Sequence, residues 1–147
     1  MDRAIVLRTT GGPAVLKSEP IAVGAPGSGQ VRLIHTAIGV NFHDCYVRSG
    51  LYSTLPLPGT PGLEAVGRVD AVGPDVVDFH PGDRVGYITR QYGGYATARL
   101  IDASALIRLP DSLDDRTAAA TLLRGLTAEA LVCQVFPVRA GHTVLVH

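Results

Sequence analysis

The chain has 147 residues, of which 46% are hydrophobic, and this is enough apolar material to bury a core and to argue against a disordered protein. Its 13 Lys and Arg residues balance 13 Asp and Glu residues, and a formal net charge of zero excludes the basic field with which many proteins collect nucleic acid. The 17 Gly and 10 Pro residues, with only 5% aromatic residues, favour short strands and turns over a helical bundle.

Short β-type runs separated by turns make up the first two-thirds of the chain. The turns are rich in Gly, Pro and Asp, as at residues 11–13, 56–62 and 81–83. Many short strands joined in this way predict a β-barrel or a β-sandwich. The predicted strands span residues 4–8, 15–18, 30–38, 65–72, 84–88, 94–99 and 105–108.

A helical pattern begins after Pro110. A capping box of Ser112 with Asp115 predicts the start of a first helix. Gly125 is expected to interrupt this helix. Thr127 is expected to cap a second helix, and Pro137 to end it.

Residues 143–146 form an apolar run rich in β-branched side chains, which is typical of a buried parallel strand. Such a strand needs neighbouring strands at its edges and helices on both faces. We therefore expect a β domain at residues 1–111, and linking helices with the first strand of an incomplete second domain at residues 112–147. On this expectation the chain is truncated. The alternative is that the last strand pairs back onto the β domain.

Polar and aromatic side chains are densest at residues 41–52. An amide, an imidazole, a carboxylate, a thiol and two phenols in this segment could bind a planar polar ligand. Alternatively, the amide and the carboxylate cap a short helical turn while the aromatic rings pack beneath it, and both interpretations can hold together. The residues of the alternative are Asn41 and Asp44 for the cap, and Phe42, Tyr46 and Tyr52 for the rings.

Neither a metal site nor a disulfide framework is indicated. His43 and Cys45 are near neighbours whose side chains point in different directions, so they do not readily share one metal ion. Cys45 and Cys133 belong to no Cys-x-x-Cys pattern, which fits a reducing compartment. With no signal-peptide pattern and no apolar run near the roughly 18 residues of a membrane span, we expect a cytoplasmic protein.

Several motifs occur in a characteristic order along the whole chain. They are residues 4–6 with 11–13, 40–52, 61–69, 72–76, 79–85, 93–96 and 124–128. In this order the motifs resemble those of the zinc-independent, zeta-crystallin-like quinone oxidoreductases of the medium-chain dehydrogenase/reductase superfamily. The resemblance implies a mainly β fold, in which a GroES-like β-barrel catalytic domain is followed by helices and the first strand of a truncated Rossmann domain.

The resemblance also implies a cofactor and its site. The cofactor is NADPH, with NADH left open, and the acceptor pocket is shaped by Asn41, Tyr46 and Tyr52. The implied cofactor-binding residues are Asn41, Phe42, His43, Asp44, Cys45, Tyr46 and Thr127. No general acid is assigned, because solvent can protonate a quinone oxygen.

Zinc is not expected. The zinc alcohol dehydrogenases of the same superfamily carry a Cys at the position of Asn41 and a His at that of Leu63. Glu64 alone cannot complete a three-ligand catalytic site, so the implied hydride transfer is metal-independent. We expect Glu64 to be a structural carboxylate held by Arg84 or by a backbone amide.

The implied function is NADPH:quinone oxidoreductase activity in the full-length protein, with the 147-residue chain inactive alone. We expect a cytoplasmic homodimer that acts on a small quinone or other electrophilic acceptor and binds neither nucleic acid nor membrane. Two alternatives stay open: an enoyl reductase of the same superfamily, and a non-catalytic GroES-like binding module.

Overall fold

A computed structural model describes residues 1–146 as a sheet-rich domain with two α-helices. Every strand pair is antiparallel. Five strands form one sheet in the order β6-β3-β4-β5-β7, and β1 pairs with β2 in a separate ladder. The elements are β1 Arg3–Val6, β2 Lys17–Pro20, β3 Gln30–Ile38, α1 Phe42–Ser49, β4 Glu64–Val72, β5 Arg84–Ile88, β6 Ala98–Asp102, β7 Leu106–Arg108 and α2 Asp115–Glu129.

The central strands carry apolar side chains to a core on one face of the sheet. On β3, Val31 and Leu33 are fully buried, and on β4 the same core contains Ala65 and Val69. Val66 of β4 points into a second cluster, which is completed by two buried alanines of α2. Helix α2 thus covers the opposite face of β4, and the end of β3 and the start of β4 lie beneath it.

The predicted strands are largely confirmed, with two shifts. The second begins at Lys17 because residues Pro13–Val15 form a 3₁₀ turn. The sixth is Ala98–Asp102 because the residues before it bond to other loops, with Tyr95 N donating to Pro61 O at 2.9 Å.

Helix α2 differs from its prediction in three ways. Its N-cap is Asp114, whose carboxylate reaches two otherwise free N–H groups, so the predicted box of Ser112 with Asp115 was wrong. Gly125 does not interrupt it, because the loss of about 1 kcal/mol for a helical glycine is small beside the bonds of the flanking turns. Thr127 is not a cap, since its hydroxyl donates to Leu123 O within the helix.

The helical stretch continues as a π-helical turn, Ala130–Val135, and ends before Pro137 as predicted. Residues 143–146 form no strand, and Val144, Leu145 and Val146 are exposed. The alternative in which this run pairs back onto the β domain was therefore wrong, since it has no ladder partner within residues 1–146. The expectation that it begins a second domain stays a prediction. His147, which follows this run, lies outside the described residues.

By length and composition alone, Asp115–Val135 is apolar enough to cross a membrane, with a mean hydropathy of 1.2 over its best window. No such candidate was expected from the apolar runs of the sequence. A single helix of this kind is weak evidence of a membrane span; 11% of its window is buried, and Ala118 and Ala119 pack against the sheet.

Arg84 attaches the start of α2 to the sheet. Its guanidinium donates to Asp115 Oδ1 at 2.7 Å and to the carbonyl of Leu113. We expect Arg84→Met to lower the free energy of unfolding by about 2 kcal/mol, because it removes hydrogen bonds to a charged group in a largely buried setting. Urea denaturation measures this. The control Arg8→Met breaks a pair with Glu19 whose Arg side chain is 64% exposed, and should leave the midpoint nearly unchanged.

Candidate active site

Helix α1 begins where β3 has ended, and its first turn organises the candidate site. Asn41 is the N-cap in an extended conformation, and its backbone N–H donates to Asp44 Oδ2 at 2.9 Å. Gly50 ends the helix in the left-handed region, at a φ of 88° that glycine adopts without strain. The predicted capping role of Asn41 and Asp44 is confirmed.

The aromatic rings of this segment do not pack beneath α1, so that part of the alternative was wrong. Phe42 is 80% exposed, Tyr46 38% and Tyr52 43%. The Tyr46 and Tyr52 rings meet edge to face with their centroids 5.3 Å apart. The rings face outward because the inward face of α1 is filled by Val47 and the Asp44 carboxylate.

His43 joins these rings to a loop far away in sequence. Its Nε2 lies 2.8 Å from the Tyr92 hydroxyl, and that hydroxyl lies 2.5 Å from Thr54 Oγ1. The His43 ring also contacts the Tyr52 ring at a tilt of 54°, with their centroids 5.5 Å apart. We call Phe42, His43, Tyr46, Tyr52 and Tyr92 the aromatic cluster. Tyr92 was missed in the sequence, where nothing links it to a residue 49 positions earlier.

Asp44 is directed into the protein and is only 4% exposed. Its Oδ2 accepts a second hydrogen bond, from the Tyr95 hydroxyl at 2.9 Å, while Oδ1 is buried without a partner within residues 1–146. Burial, reinforced by the neighbouring carboxylate, raises the pKa of Tyr95, so its phenol stays protonated and remains a donor. Cys45, next along α1, is half-buried.

Glu64 lies at the start of β4 and is 1% exposed. Its Oε1 accepts from the Asn41 side-chain amide at 2.7 Å, and its Oε2 accepts from the backbone N–H of Leu123 at 2.9 Å. The expected backbone-amide partner is therefore confirmed, while the expected Arg84 partner was wrong because that guanidinium bonds to Asp115 on α2.

The middle of α2 also contacts the loop before α1. Arg124 donates through one nitrogen to Val40 O and through the other to Ala120 O at 2.6 Å. Thr127 is exposed one turn beyond Leu123. The contacts of Glu64 and Arg124 thus hold the Asn41 loop and the turn that carries Thr127 side by side, although 86 positions separate them in sequence.

The donor atoms at this site suit an organic ligand better than a metal ion. Both oxygens of Glu64 are occupied by N–H donors. Within residues 1–146, no three His, Cys, Asp or Glu side chains come together in a metal-binding arrangement.

The alcohol dehydrogenase GroES-like domain family matches residues 27–111, which is more than half of the chain. The chain belongs to this family. Over its whole length the GroES-like chain is 42% identical to a quinone oxidoreductase of Pseudomonas aeruginosa, and over 152 aligned positions it is 43% identical to a 2-haloacrylate reductase of a Burkholderia species. It covers 45% and 46% of these two proteins, so it spans about half the length of the curated relatives that it matches.

The same similarity is found among solved structures. The GroES-like chain matches the Escherichia coli quinone oxidoreductase complexed with NADPH with a TM-score of 0.89 and 35% identity, over 93% of this chain and 42% of that one. The predicted mainly β, GroES-like fold and the resemblance to quinone oxidoreductases are confirmed. The boundary at residues 111 and 112 and the roles of the site residues stay predictions.

Proposed function

We propose that this chain provides the catalytic-domain side of an NADPH-dependent quinone oxidoreductase. The observation that carries the proposal is the convergence of the Asn41 loop, the aromatic cluster and the middle of α2 on one region of the domain. Its support from relatives is the similarity to quinone oxidoreductases, one of them in complex with NADPH.

The site residues fit a nicotinamide. Thr127 uses its hydroxyl hydrogen on Leu123 O at 2.7 Å, so its oxygen is free to accept a hydrogen bond, as a carboxamide NH₂ group requires. Asn41 offers its side-chain amide from the loop before α1. Together these two residues would hold the carboxamide end, with Phe42, His43, Cys45 and Tyr46 beside it and the buried Asp44 supporting the loop. The bound cofactor supplies the hydride.

The aromatic cluster would hold the acceptor. Tyr46 and Tyr52 are partly exposed rings in edge-to-face contact, an arrangement that leaves ring surface free to cover a planar quinone. Their hydroxyls and the Asn41 amide can bond a quinone oxygen, which orients the ring and polarises the carbonyl. The protein groups thus position the acceptor and shield it from water.

The transfer proceeds without a metal in this proposal. Zinc needs at least three protein ligands at a catalytic site. The position of one ligand of the zinc branch holds Asn41, and the nearby Glu64 carboxylate is fully engaged by N–H donors. The proposal further includes a cytoplasmic homodimer and a small-molecule acceptor, with neither nucleic acid nor membrane as a partner.

A chimera tests the proposed function. Residues 1–146 would replace the matching part of the Pseudomonas aeruginosa quinone oxidoreductase, to which they are 42% identical. We expect the chimera to oxidise NADPH with 1,4-benzoquinone, as measured by the loss of absorbance of the reduced nicotinamide. A chimera that folds and binds NADPH but transfers no hydride would reject the proposal and favour a non-catalytic binding module.

A second candidate function is supported by the 2-haloacrylate reductase relative. Its name specifies a 2-haloacrylate, an electron-poor alkene, as the compound that it reduces, and an enoyl reductase of the same superfamily would act on a related alkene. The same chimera discriminates among these functions when 1,4-benzoquinone, 2-chloroacrylate and a 2-enoyl thioester are compared by kcat/KM. A preference for either alkene over the quinone would replace the proposed acceptor.

Tyr46 provides a specific prediction. In the chimera, we expect Tyr46→Ala to raise KM for 1,4-benzoquinone about tenfold, because an aromatic contact and its buried area are lost. Tyr46→Phe should recover most of this loss, since it keeps the ring. The control is Val77→Ala, which alters a side chain that is 78% exposed on the loop before β5. Equal KM values in all three variants would remove Tyr46 from the acceptor site.

A further inference from the structure

Glu64 is a buried carboxylate whose partners are all neutral. It is 1% exposed and accepts one hydrogen bond at each oxygen, from Asn41 Nδ2 and from Leu123 N. Within residues 1–146 it forms no salt bridge. Burying a carboxylate without a cation is costly, so packing alone would be served better by an apolar side chain at this position.

The chain around Glu64 leaves the carboxylate little freedom to move. Gly39 passes so close that a Cβ at this glycine would collide with Glu64 Oε1 and Cγ. Beyond the carboxylate, Arg124 of α2 holds the carbonyl of Val40. The Glu64 side chain is therefore enclosed between the loop before α1 and the middle of α2.

Both carboxylate oxygens of Glu64 act as acceptors, one for the Asn41 NH₂ group and one for the Leu123 N–H. Glu64 therefore fixes the orientation of the Asn41 amide, whose NH₂ group faces Glu64 and whose oxygen lies toward the Asp44 backbone N–H of the capping box. A neutral residue with both a donor and an acceptor could not impose this choice.

We infer that Glu64 is a positioning residue, which holds the Asn41 NH₂ group so that the amide oxygen faces the first turn of α1, and which ties this amide to α2. The inference rests on the proposed function, in which Asn41 contacts the nicotinamide and the acceptor. Glu64 itself touches neither. It acts through Asn41, and through Leu123 it sets the distance between the loop and the helix.

The substitution Glu64→Gln tests the inference because it changes hydrogen-bond polarity with little change in size. The introduced glutamine has one acceptor oxygen for two donors, Leu123 N–H and Asn41 Nδ2. When that oxygen accepts from Leu123, its NH₂ group faces Asn41, and the Asn41 amide must turn its oxygen inward. The variant therefore reverses the polarity of the Asn41 amide at its contact with residue 64 and turns its oxygen away from the first turn of α1.

The amide can be observed directly, because Asn41 is the only asparagine in the 147 residues. Labelling the wild-type chain with ¹⁵N-asparagine gives a single side-chain NH₂ group in an NMR spectrum. We expect the proton that faces Glu64 to exchange with water at least about tenfold more slowly than that of an exposed asparagine side chain. Glu64→Gln should abolish this protection, and Glu19→Gln, the same change at an exposed pair on β2, should preserve it.

Kinetics of the chimera supply the second readout. Glu64→Gln and Asn41→Ala should each lower kcat/KM with 1,4-benzoquinone at least about tenfold, and the double variant should be no worse than Asn41→Ala alone. A merely structural role for Glu64 predicts losses that multiply.

The outcomes separate the two proposals. Rapid exchange of the Asn41 amide in the wild-type chain, or protection that survives Glu64→Gln, overturns the positioning role whatever the enzyme does. Multiplying losses in the double variant overturn it as well. A wild-type chimera without activity rejects the proposed function, while the exchange measurement still decides how Asn41 is held.

Discussion

Gly67→Ala should destabilise the domain by about 3 kcal/mol or more, which is a large part of the stability of an ordinary domain. Gly67 is in the centre of β4, between His35 of β3 and Val85 of β5. A Cβ there would collide with the backbone carbonyl of Ile34 and lie 3.0 Å from the Cα of His35. Since the obstacle is the backbone of a central strand, relief requires β3 and β4 to separate, which disturbs the core.

Gly125→Ala is the matched control for this prediction. Gly125 lies within α2, and a Cβ at this position would meet no atom within 4 Å. Here alanine should raise stability by about 0.5–1 kcal/mol, because glycine loses more backbone entropy in a helix. Urea denaturation of both variants gives the comparison. Equal stability for Gly67→Ala and the wild type would show that β3 and β4 do not approach as closely as described.

Elements with a local cause were predictable from the sequence. The alternation of Val31 and Leu33 with exposed or half-buried neighbours placed β3 correctly, because a strand with one face on the core repeats every two residues. The start of α1 was predictable for the same kind of reason. Asn41 and Asp44 lie three residues apart, which is the spacing at which the Asp44 carboxylate accepts a hydrogen bond from the Asn41 N–H.

Contacts between distant segments were not predictable. Asn41, Glu64 and Leu123 come from a loop, a strand and a helix, and their hydrogen bonds depend on how α2 crosses the sheet. The same is true of His43 and Tyr92, whose pairing has no spacing rule. Sequence patterns describe neighbours along the chain, whereas the candidate site is made of neighbours in space.

The helical region shows a different limit, because local signals compete there. Gly125 and Thr127 are common at helix ends, yet both lie inside α2. Buried contacts of Ala118 and Ala119 with the sheet, and the Arg84 anchor at the first turn, stabilise the continuous helix. Tertiary packing therefore outweighed the local preference for an end.

His35 should make stability depend on pH below neutrality. Its Nδ1 donates to Ala96 O at 2.7 Å, so its Nε2, 3.1 Å from the Tyr87 hydroxyl, is the acceptor in the neutral ring. Burial, with a smaller contribution from the nearby Arg99 guanidinium, lowers the pKa of His35 from 6.5 to about 4, although the bond to Ala96 opposes this. The native state therefore resists a proton that the unfolded chain accepts.

The sign of the effect follows from this difference in pKa. Above pH 6.5 both states hold a neutral ring, and the contribution of His35 to stability is complete. As the pH is lowered from 6.5 to about 4, the unfolded state gains a proton before the native state does. The free energy of unfolding therefore decreases, by about 3 kcal/mol across the window. Below about pH 4 the native ring is protonated too, and the loss attributable to His35 levels off.

Urea denaturation of the wild type and His35→Asn at several pH values between 7 and 4 measures the contribution. Asparagine retains a donor for Ala96 O but does not titrate, so the variant should lose much of the slope, whatever its stability at pH 7. His80→Asn is the control, because His80 is exposed on the loop before β5 and the same change there should leave the slope in place. Parallel pH profiles for the wild type and His35→Asn would mean that this imidazole is not the group that resists protonation between pH 7 and 4.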